Sequence, residues 1–237
     1  MTAATKLIVT GDWHIHDDSR LRVVEQMCDK IALLQPSVLL LSEVADPWRQ
    51  SWQQILKTQS WCRLQSIVAD REAEGLQTYW LLGNHEFNAK QRYLPAAKIV
   101  HKYRTADICV LHGWQFDTVW AGVGKLPGIA PVARFISLRF PRLMIPIYRV
   151  LLRRSKQTPG ELKQEGFADE WTMAIETVHA RARAYAQKQH CRLIIGHTHC
   201  PLRFDGLIAD WGDMLDSLTW IQVTAGGHIT LNRLRQI

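Results

Sequence analysis

The sequence has no apolar run long enough to cross a membrane and no cysteine pattern typical of a disulfide framework. A membrane span needs about 18 uninterrupted apolar residues, and the 237-residue chain contains no such stretch. The five cysteines are widely spaced and form no Cys-x-x-Cys pair, which fits reduced thiols and not a structural zinc site. The N-terminal residues also lack the regions of a secretory signal. We therefore expect a cytoplasmic protein.

Acidic residues are missing from a long central segment. Residues 118–160 contain no Asp or Glu but eight Lys and Arg residues, whereas the whole chain has a formal net charge of +7. Subtracting these eight charges (7 − 8) leaves −1 for the rest of the chain, so the basic excess is local. Between residues 131 and 156, arginines alternate with aliphatic and aromatic residues, as on a surface that contacts acyl chains and phosphates.

We predict a single domain of residues 1–237 in which residues 118–165 form an inserted helical cap. Basic residues between 125 and 156 would then make peripheral contact with the inner face of a membrane. The alternative is a helical hairpin packed on the domain, with arginines that are merely solvated. The segment has few aromatic rings that could stack on bases, so it gives no strong signal for nucleic acid.

The rest of the chain has the pattern of an α/β protein. Apolar runs of strand length alternate with helical stretches, and they cover residues 6–10, 37–41, 78–82, 107–111 and 192–196. Helices are predicted between the first two runs, from Pro47 to about Glu74 and over residues 169–189. Residues 218–234 alternate around a Gly-Gly pair, which predicts an antiparallel hairpin and hence a mixed sheet.

Nearly every predicted strand ends in residues that can bind a metal. They are Asp12, His14, Glu43, Asp46, Asn84, His85, Glu86, His112, His197 and His199. Each has an ordinary alternative role as a turn, cap or core residue. Because ligands gather at the carboxyl ends of strands in α/β sheets, we expect the strand ends to converge in one crevice. Asp-x-His and His-x-His spacing on an extended strand end would direct both side chains of a pair into that crevice.

The types of these residues indicate the chemistry of the site. Mixed oxygen and imidazole ligands suit manganese, with iron, zinc, cobalt and nickel as alternatives, and they disfavour an all-oxygen calcium site. Seven or eight ligands are too many for one ion. A pair of divalent metal ions about 3.5 to 4 Å apart would need one carboxylate that bridges them.

Four short segments, GDWH at 11–14, GNHE at 83–86, HG at 112–113 and GHTH at 196–199, resemble the calcineurin-like metallophosphoesterase family in their order. The resemblance implies a sandwich of two mixed β-sheets flanked by helices, and a dinuclear metal-dependent phosphoric ester hydrolase that uses a metal-activated hydroxide. It also implies that His85 stabilises developing charge or protonates the leaving oxygen. The implied metal ligands are Asp12, His14 and His199 for one ion, Asn84, His112 and His197 for the other, and Glu43 as the bridge.

The second family segment departs from the family pattern. The family has Gly-Asp where this chain has Ser42-Glu43. A glutamate can still bridge through its two oxygens, but its additional methylene group must be accommodated. Asp46 precedes Pro47 and is predicted to cap a helix or to support a ligand, in preference to binding metal itself. Glu86 is predicted to begin a helix or to support the site.

Two further segments narrow the substrate. Residues 112–117 (HGWQFD) and 210–223 (DWGDMLDSLTWIQV) resemble the UDP-2,3-diacylglucosamine hydrolase-like branch, whose members cleave a pyrophosphate in a lipid A precursor. The resemblance implies a phosphodiester or pyrophosphate in a lipid- or nucleotide-linked substrate. His85, Trp114 and the Ser42-Glu43 pair depart from that hydrolase itself and argue against that precise substrate. The alternatives are a phosphoesterase acting on nucleic acid or phosphoprotein, and a binding protein that has lost the chemistry.

Overall fold

A computed structural model describes residues 5–47, 49–86, 89–117 and 168–235. The chain divides into two compact units, one formed by Met1–Gly113 with Ala182–Ile237 and the other by Trp114–Arg181. The predicted cap at 118–165 lies outside the described residues, so the cap and its membrane contact remain predictions. None of the described helices combines the length and the apolar character needed to span a membrane.

Within the described residues, ten strands form two mixed sheets. Their bounds are β1 (Thr5–Gly11), β2 (Val38–Ser42), β3 (Gln77–Leu81), β4 (Lys98–Val100), β5 (Tyr103–Arg104), β6 (Ile108–Val110), β7 (Arg192–Ile195), β8 (Ile208–Asp210), β9 (Thr219–Thr224) and β10 (Ile229–Arg233). The six-stranded sheet has the order β10-β9-β1-β2-β3-β4, and the four-stranded sheet has the order β5-β6-β7-β8.

Both sheets combine parallel and antiparallel pairs. In the larger sheet, β1 to β4 are parallel, while β9 runs antiparallel to β1 and to β10. In the smaller sheet, β6, β7 and β8 are parallel and β5 is antiparallel to β6. These sheets confirm the predicted fold class and the C-terminal hairpin. The sequence analysis predicted no strand at β4, β5 or β8, which have two or three residues each and lie outside the five apolar runs that it identified.

Four α-helices are described, namely α1 (Leu21–Leu34), α2 (Trp52–Ile55), α3 (Gln59–Ala73) and α4 (Ala168–Gln189). The prediction of one helix from Pro47 to Glu74 is wrong, because this region forms two separate helices, α2 and α3. Thr58 Oγ1 donates to the carbonyl oxygen of Ile55 over 2.8 Å and accepts from the backbone N–H of Trp61 over 3.1 Å. A threonine that bonds to the backbone in this way starts a new helix.

The larger sheet buries apolar side chains on both of its faces. On one face, Leu7 and Val9 of β1 belong to an apolar cluster with residues of β6, β7 and β8 in the smaller sheet. On the other face, Ile8 belongs to a cluster with residues of α1 and α3. This alternation follows the two-residue period of a strand. Because both faces are packed, the register of β1 is fixed, and so is the position of its carboxyl end.

Candidate metal centre

The strand ends that carry the predicted ligands do not continue as extended backbone. Five of these residues have left-handed conformations, with φ values of 53° at Asp12, 49° at His14, 46° at Glu43, 74° at His197 and 56° at His199. The expectation of an extended backbone at these pairs is therefore wrong, although the side chains of Asp12 and His14 do reach one ligand group. Such conformations cost about 1 to 3 kcal/mol per non-glycine residue and cluster at functional sites.

The loops that follow β1 and β2 hold each other in place. The backbone N–H of Asp12 donates to the carbonyl oxygen of Ser42 over 2.9 Å, and that of Trp13 donates to the carbonyl oxygen of Glu43 over 3.1 Å. Further along, the N–H of Asp46 donates to the carbonyl oxygen of Ile15 over 2.9 Å. These bonds satisfy backbone groups that the sheet no longer pairs, and they stabilise the left-handed turns.

A first group of candidate ligands consists of Asp12, His14 and His199, whose ligand atoms lie within 4.8 Å of one another. The Nε2 atoms of the two histidines are 3.4 Å apart. A carboxylate faces the Nδ1 atom of each imidazole. His14 Nδ1 is 3.6 Å from Asp46 Oδ2, and His199 Nδ1 is 3.1 Å from Asp213 Oδ2. A carboxylate in this position orients the opposite ring nitrogen toward a metal.

A second group consists of Glu43, His112 and His197, again with ligand atoms within 4.8 Å of one another. His112 Nε2 contacts Glu43 Oε2 and lies 3.3 Å from Asp12 Oδ1. Room for the long Glu43 side chain comes from Gly83, where an added Cβ would lie only 2.7 Å from the Cβ of Glu43 and 2.7 Å from its Oε2. The fold therefore accommodates glutamate at the position predicted to bridge.

Asn84, the remaining predicted ligand, has a buried Oδ1 atom with no hydrogen-bond partner among the described residues. A buried acceptor without a partner costs about 1 to 3 kcal/mol. An amide oxygen that is left in this state beside carboxylates and imidazoles suits a divalent cation. The residues present therefore fit the metal ions that the sequence predicts.

The electrostatics of the site also favour a bound cation. Burial lowers the pKa of His112, but the negative charges of Glu43 and Asp12 raise it to about 10. Desolvation likewise lowers the pKa of His199, while its hydrogen bond to Asp213 and the charge of Asp12 raise it to about 9. Both imidazoles are therefore protonated at neutral pH when no metal competes. The carboxylates stabilise positive charge here, whether protons or metal ions supply it.

His85 lies beside both groups and is held by Asp46. Its Nδ1 is 3.0 Å from Asp46 Oδ1, its Nε2 is 3.6 Å from Glu43 Oε1, and its ring packs edge-on against His14 with centroids 4.8 Å apart. Burial lowers the pKa of His85, but the charges of Glu43 and Asp46 raise it above its usual value. The neighbouring carboxylates therefore favour the protonated form of His85 at the edge of the candidate centre.

Asp46 contacts several residues of the site and does not cap a helix. Its carboxylate faces His14 and His85 and forms an ion pair with Arg49, whose Nε lies 2.8 Å from Oδ2. The carbonyl oxygen of Asp46 accepts from the backbone N–H of Arg49 in a turn. The prediction of a helix N-cap is wrong, because α2 begins only at Trp52. Burial raises the pKa of Asp46, yet His85 and His14 lower it well below its usual range.

Glu86 supports the loops. Its Oε1 accepts from the backbone N–H of Ala45 and its Oε2 from Trp80 Nε1, each over 2.9 Å. The side chain is fully buried, and burial raises its pKa to about 8. These bonds tie the loop after β3 to the loop after β2, which brings Asn84 and His85 beside Glu43.

Two residues that the sequence analysis did not assign to the site contact its predicted ligands. Trp211 Nε1 donates to Asp12 Oδ2 over 2.7 Å, and Asp213 pairs with His199. Asp213 also accepts at Oδ1 from the backbone N–H groups of Leu215, Asp216 and Ser217. The available signal was the DWGD segment at 210–213, which begins at the last residue of β8 and which the sequence analysis used only for the resemblance to a family branch.

The comparison with family models shows to which family the chain belongs. The model described as calcineurin-like phosphoesterase matches residues 5–201, which is most of the sequence and includes every predicted ligand. The chain belongs to this family. Among curated protein sequences, no match was found.

Solved structures give weaker likenesses. The Pseudomonas putida nuclease MPE is 13% identical, with 46% of this chain and 55% of that chain covered and a TM-score of 0.36. The chain thus spans about half the length of that nuclease. A novel archaeal phosphodiesterase is 9% identical, with 96% of this chain and 99% of that chain covered and a TM-score of 0.44. Neither likeness is close enough to indicate a substrate.

Proposed function

We propose that this member of the calcineurin-like phosphoesterase family hydrolyses a phosphodiester or pyrophosphate bond with the help of two divalent metal ions. The described residues contain three candidate ligand groups, one of them formed by His14, Asp46 and His85. The observation that carries the proposal is the pair formed by the other two, which lie at neighbouring strand ends. One contains Asp12, the other contains Glu43, and His112 Nε2 contacts both acids. Two ligand groups joined in this way suit a two-metal site.

The proposal assigns the predicted ligands to two ions. Asp12, His14 and His199 would hold the first ion, and Asn84, His112 and His197 the second. Glu43 would be the carboxylate shared by the two ions. The assignment of the first ion agrees with the first ligand group, and the unpartnered Oδ1 of Asn84 supports the second. Manganese is the proposed metal, and iron, zinc, cobalt or nickel would suit the same donors.

When bound, the metal ions would supply Lewis-acid chemistry, in which they neutralise phosphate oxygens and lower the pKa of a water molecule. His85 would protonate the oxygen of the leaving group. Asp46 holds Nδ1 of this histidine at 3.0 Å, which orients the opposite nitrogen Nε2 toward the centre, and the charges of Glu43 and Asp46 raise the pKa of the ring and so favour its protonated form. Asp46 and Asp213 would keep the imidazoles of His14 and His199 in the orientation that binds metal.

The proposed substrate is a lipid- or nucleotide-linked phosphate ester, like that of the UDP-2,3-diacylglucosamine hydrolase-like branch. Two features of the sequence support it, namely the resemblance of residues 112–117 and 210–223 to that branch and the basic, apolar composition of residues 125–156. Peripheral contact with a membrane through residues 125–156 belongs to the same proposal.

The first test is hydrolysis of bis(p-nitrophenyl) phosphate by chelator-stripped protein with and without added manganese. Turnover that requires metal would support the proposal, and the Glu43→Gln variant should then lose at least about 100-fold in kcat, because an amide offers one ligating oxygen in place of two. Glu74→Gln, a change at an exposed acid, is the matched control and should retain activity. Absence of turnover with all five candidate metals would refute the proposed activity.

The substrate class needs a separate comparison. We expect a lipid diphosphate in vesicles to give a higher kcat/KM than single-stranded DNA or a phosphopeptide. Arg149→Ala and Arg153→Ala should weaken sedimentation with anionic vesicles, because each arginine contributes about 1 kcal/mol near such a surface. Preference for DNA or phosphopeptide, or sedimentation that does not change, would contradict the lipid proposal and leave the metal-dependent hydrolysis intact.

A further inference from the structure

Trp211 is buried beside the candidate metal centre and contacts one of its predicted ligands. The side chain is fully buried, and its indole Nε1–H donates to Asp12 Oδ2 over 2.7 Å. The backbone N–H of His197 donates to the same oxygen over 3.2 Å. One oxygen of the Asp12 carboxylate is therefore committed to two N–H donors.

The other oxygen of Asp12 faces the centre. Asp12 Oδ1 lies 3.3 Å from His112 Nε2 and 3.8 Å from His199 Nε2. A carboxylate with two available oxygens can bind one ion with both or bridge two ions. Because Trp211 and His197 occupy Oδ2, only Oδ1 of Asp12 remains to bind an ion.

The fold holds the indole ring in a single position. Added Cβ atoms at Gly11, which ends β1, and at Gly196, which follows β7, would both overlap the ring of Trp211. The backbone of Trp211 is fixed as well, since its N–H donates to the carbonyl oxygen of Ile195 over 2.9 Å and its carbonyl oxygen accepts from Thr219 Oγ1 over 2.7 Å. The missing side chains of Gly11 and Gly196 thus leave the space that the indole ring of Trp211 fills.

We propose that Trp211 is a positioning residue that fixes the Asp12 carboxylate so that Oδ1, and not Oδ2, is the oxygen presented to the metal centre. The inference rests on the proposed metal centre and adds the residue that decides which oxygen of Asp12 faces it. Hydrogen-bond partners of metal ligands typically change metal affinity or activity 10- to 100-fold when they are removed. The indole N–H, and not the bulk of the ring, is the group that acts.

The test is calorimetric titration of chelator-stripped wild-type and Trp211→Phe protein with manganese. Phenylalanine keeps an aromatic ring but has no N–H, so we expect the affinity for one of two ions to fall about 10- to 100-fold. Trp61→Phe is the matched control, because Trp61 is also fully buried and its indole N–H has no hydrogen-bond partner among the described residues. It should lose stability and keep both metal affinities.

A second measurement uses wild-type protein and does not depend on the variant folding. The Trp211 Nε1–H resonance of ¹⁵N-labelled protein can be assigned through its contacts with the α-protons of Gly11 and Gly196. It should shift when zinc binds, because Asp12 then shares its charge with the metal. Unchanged affinities in Trp211→Phe, or a resonance that stays in place while zinc binds, would overturn this inference alone. Wild-type protein that binds no metal would overturn the proposed function together with it.

Discussion

Metal binding is expected to release protons, because two of the predicted ligands are protonated before metal binds. Opposing charges raise the pKa of His112 to about 10 and that of His199 to about 9. Below pH 9 both imidazoles carry a proton, and a nitrogen that binds metal must lose it. Filling both ion positions near pH 7.5 should therefore release about two protons per protein molecule.

The number of protons released also determines how the metal affinity changes with pH. Each proton released makes the apparent overall binding constant rise about tenfold per pH unit, so two protons give about 100-fold per unit between pH 6.5 and 8. This corresponds to about 2.7 kcal/mol of binding free energy per pH unit. Above pH 9 the slope should fall toward one, when His199 is already neutral, and it should vanish above pH 10.

Calorimetry of manganese binding in two buffers with different heats of ionisation gives the number of protons directly. His112→Asn should lower the count by about one, because its proton is then missing before metal binds. His228→Asn, at an exposed position in the turn between β9 and β10, should leave the count unchanged. A wild-type count near zero, or affinity that does not change with pH, would refute the electrostatic reasoning.

Three further predictions concern single residues. Gly83→Ala should reduce metal affinity at least about tenfold in calorimetric titration, because the new Cβ would lie 2.7 Å from the Glu43 side chain. Asp46→Asn should shift the alkaline limb of the pH–kcat profile to lower pH, since the carboxylate raises the pKa of the acid His85. Thr58→Ala should lower the free energy of unfolding by about 1 kcal/mol in urea, because α3 loses its cap.

Each of these predictions has its own control. Gly226→Ala adds the same methyl group where the nearest atoms are 3.7 and 3.9 Å away, so metal affinity should not change. For Asp46→Asn, a profile that only falls in height would contradict the role given to His85. Ser51→Ala should cost less stability than Thr58→Ala, because Ser51 makes no side-chain cap bond to α2. Equal losses would mean that the Thr58 cap adds nothing.

The sequence predicted most of the larger elements, because their signals are local. Apolar runs of strand length marked β1, β2, β3, β6 and β7, and the alternation around Gly226 and Gly227 marked the C-terminal hairpin. The break between α2 and α3 escaped prediction, because apolar spacing continues across it and only the bonds of Thr58 to the backbone show where the helix stops. For the Asp46 turn, the Asp-Pro pair indicated a helix start that does not form.

The sequence by itself also determined which residue types stand at the strand ends, and so the metal chemistry that they can support. Only the tertiary structure decided how these side chains divide their contacts. Trp211 donates a hydrogen bond to Asp12, which lies 199 residues away in the sequence. Gly83, after β3, leaves space for the side chain of Glu43, after the neighbouring strand β2. The left-handed backbones of the predicted ligands are likewise stabilised by bonds between loops. No local pattern can encode such contacts, because each of them joins residues that are far apart in the sequence.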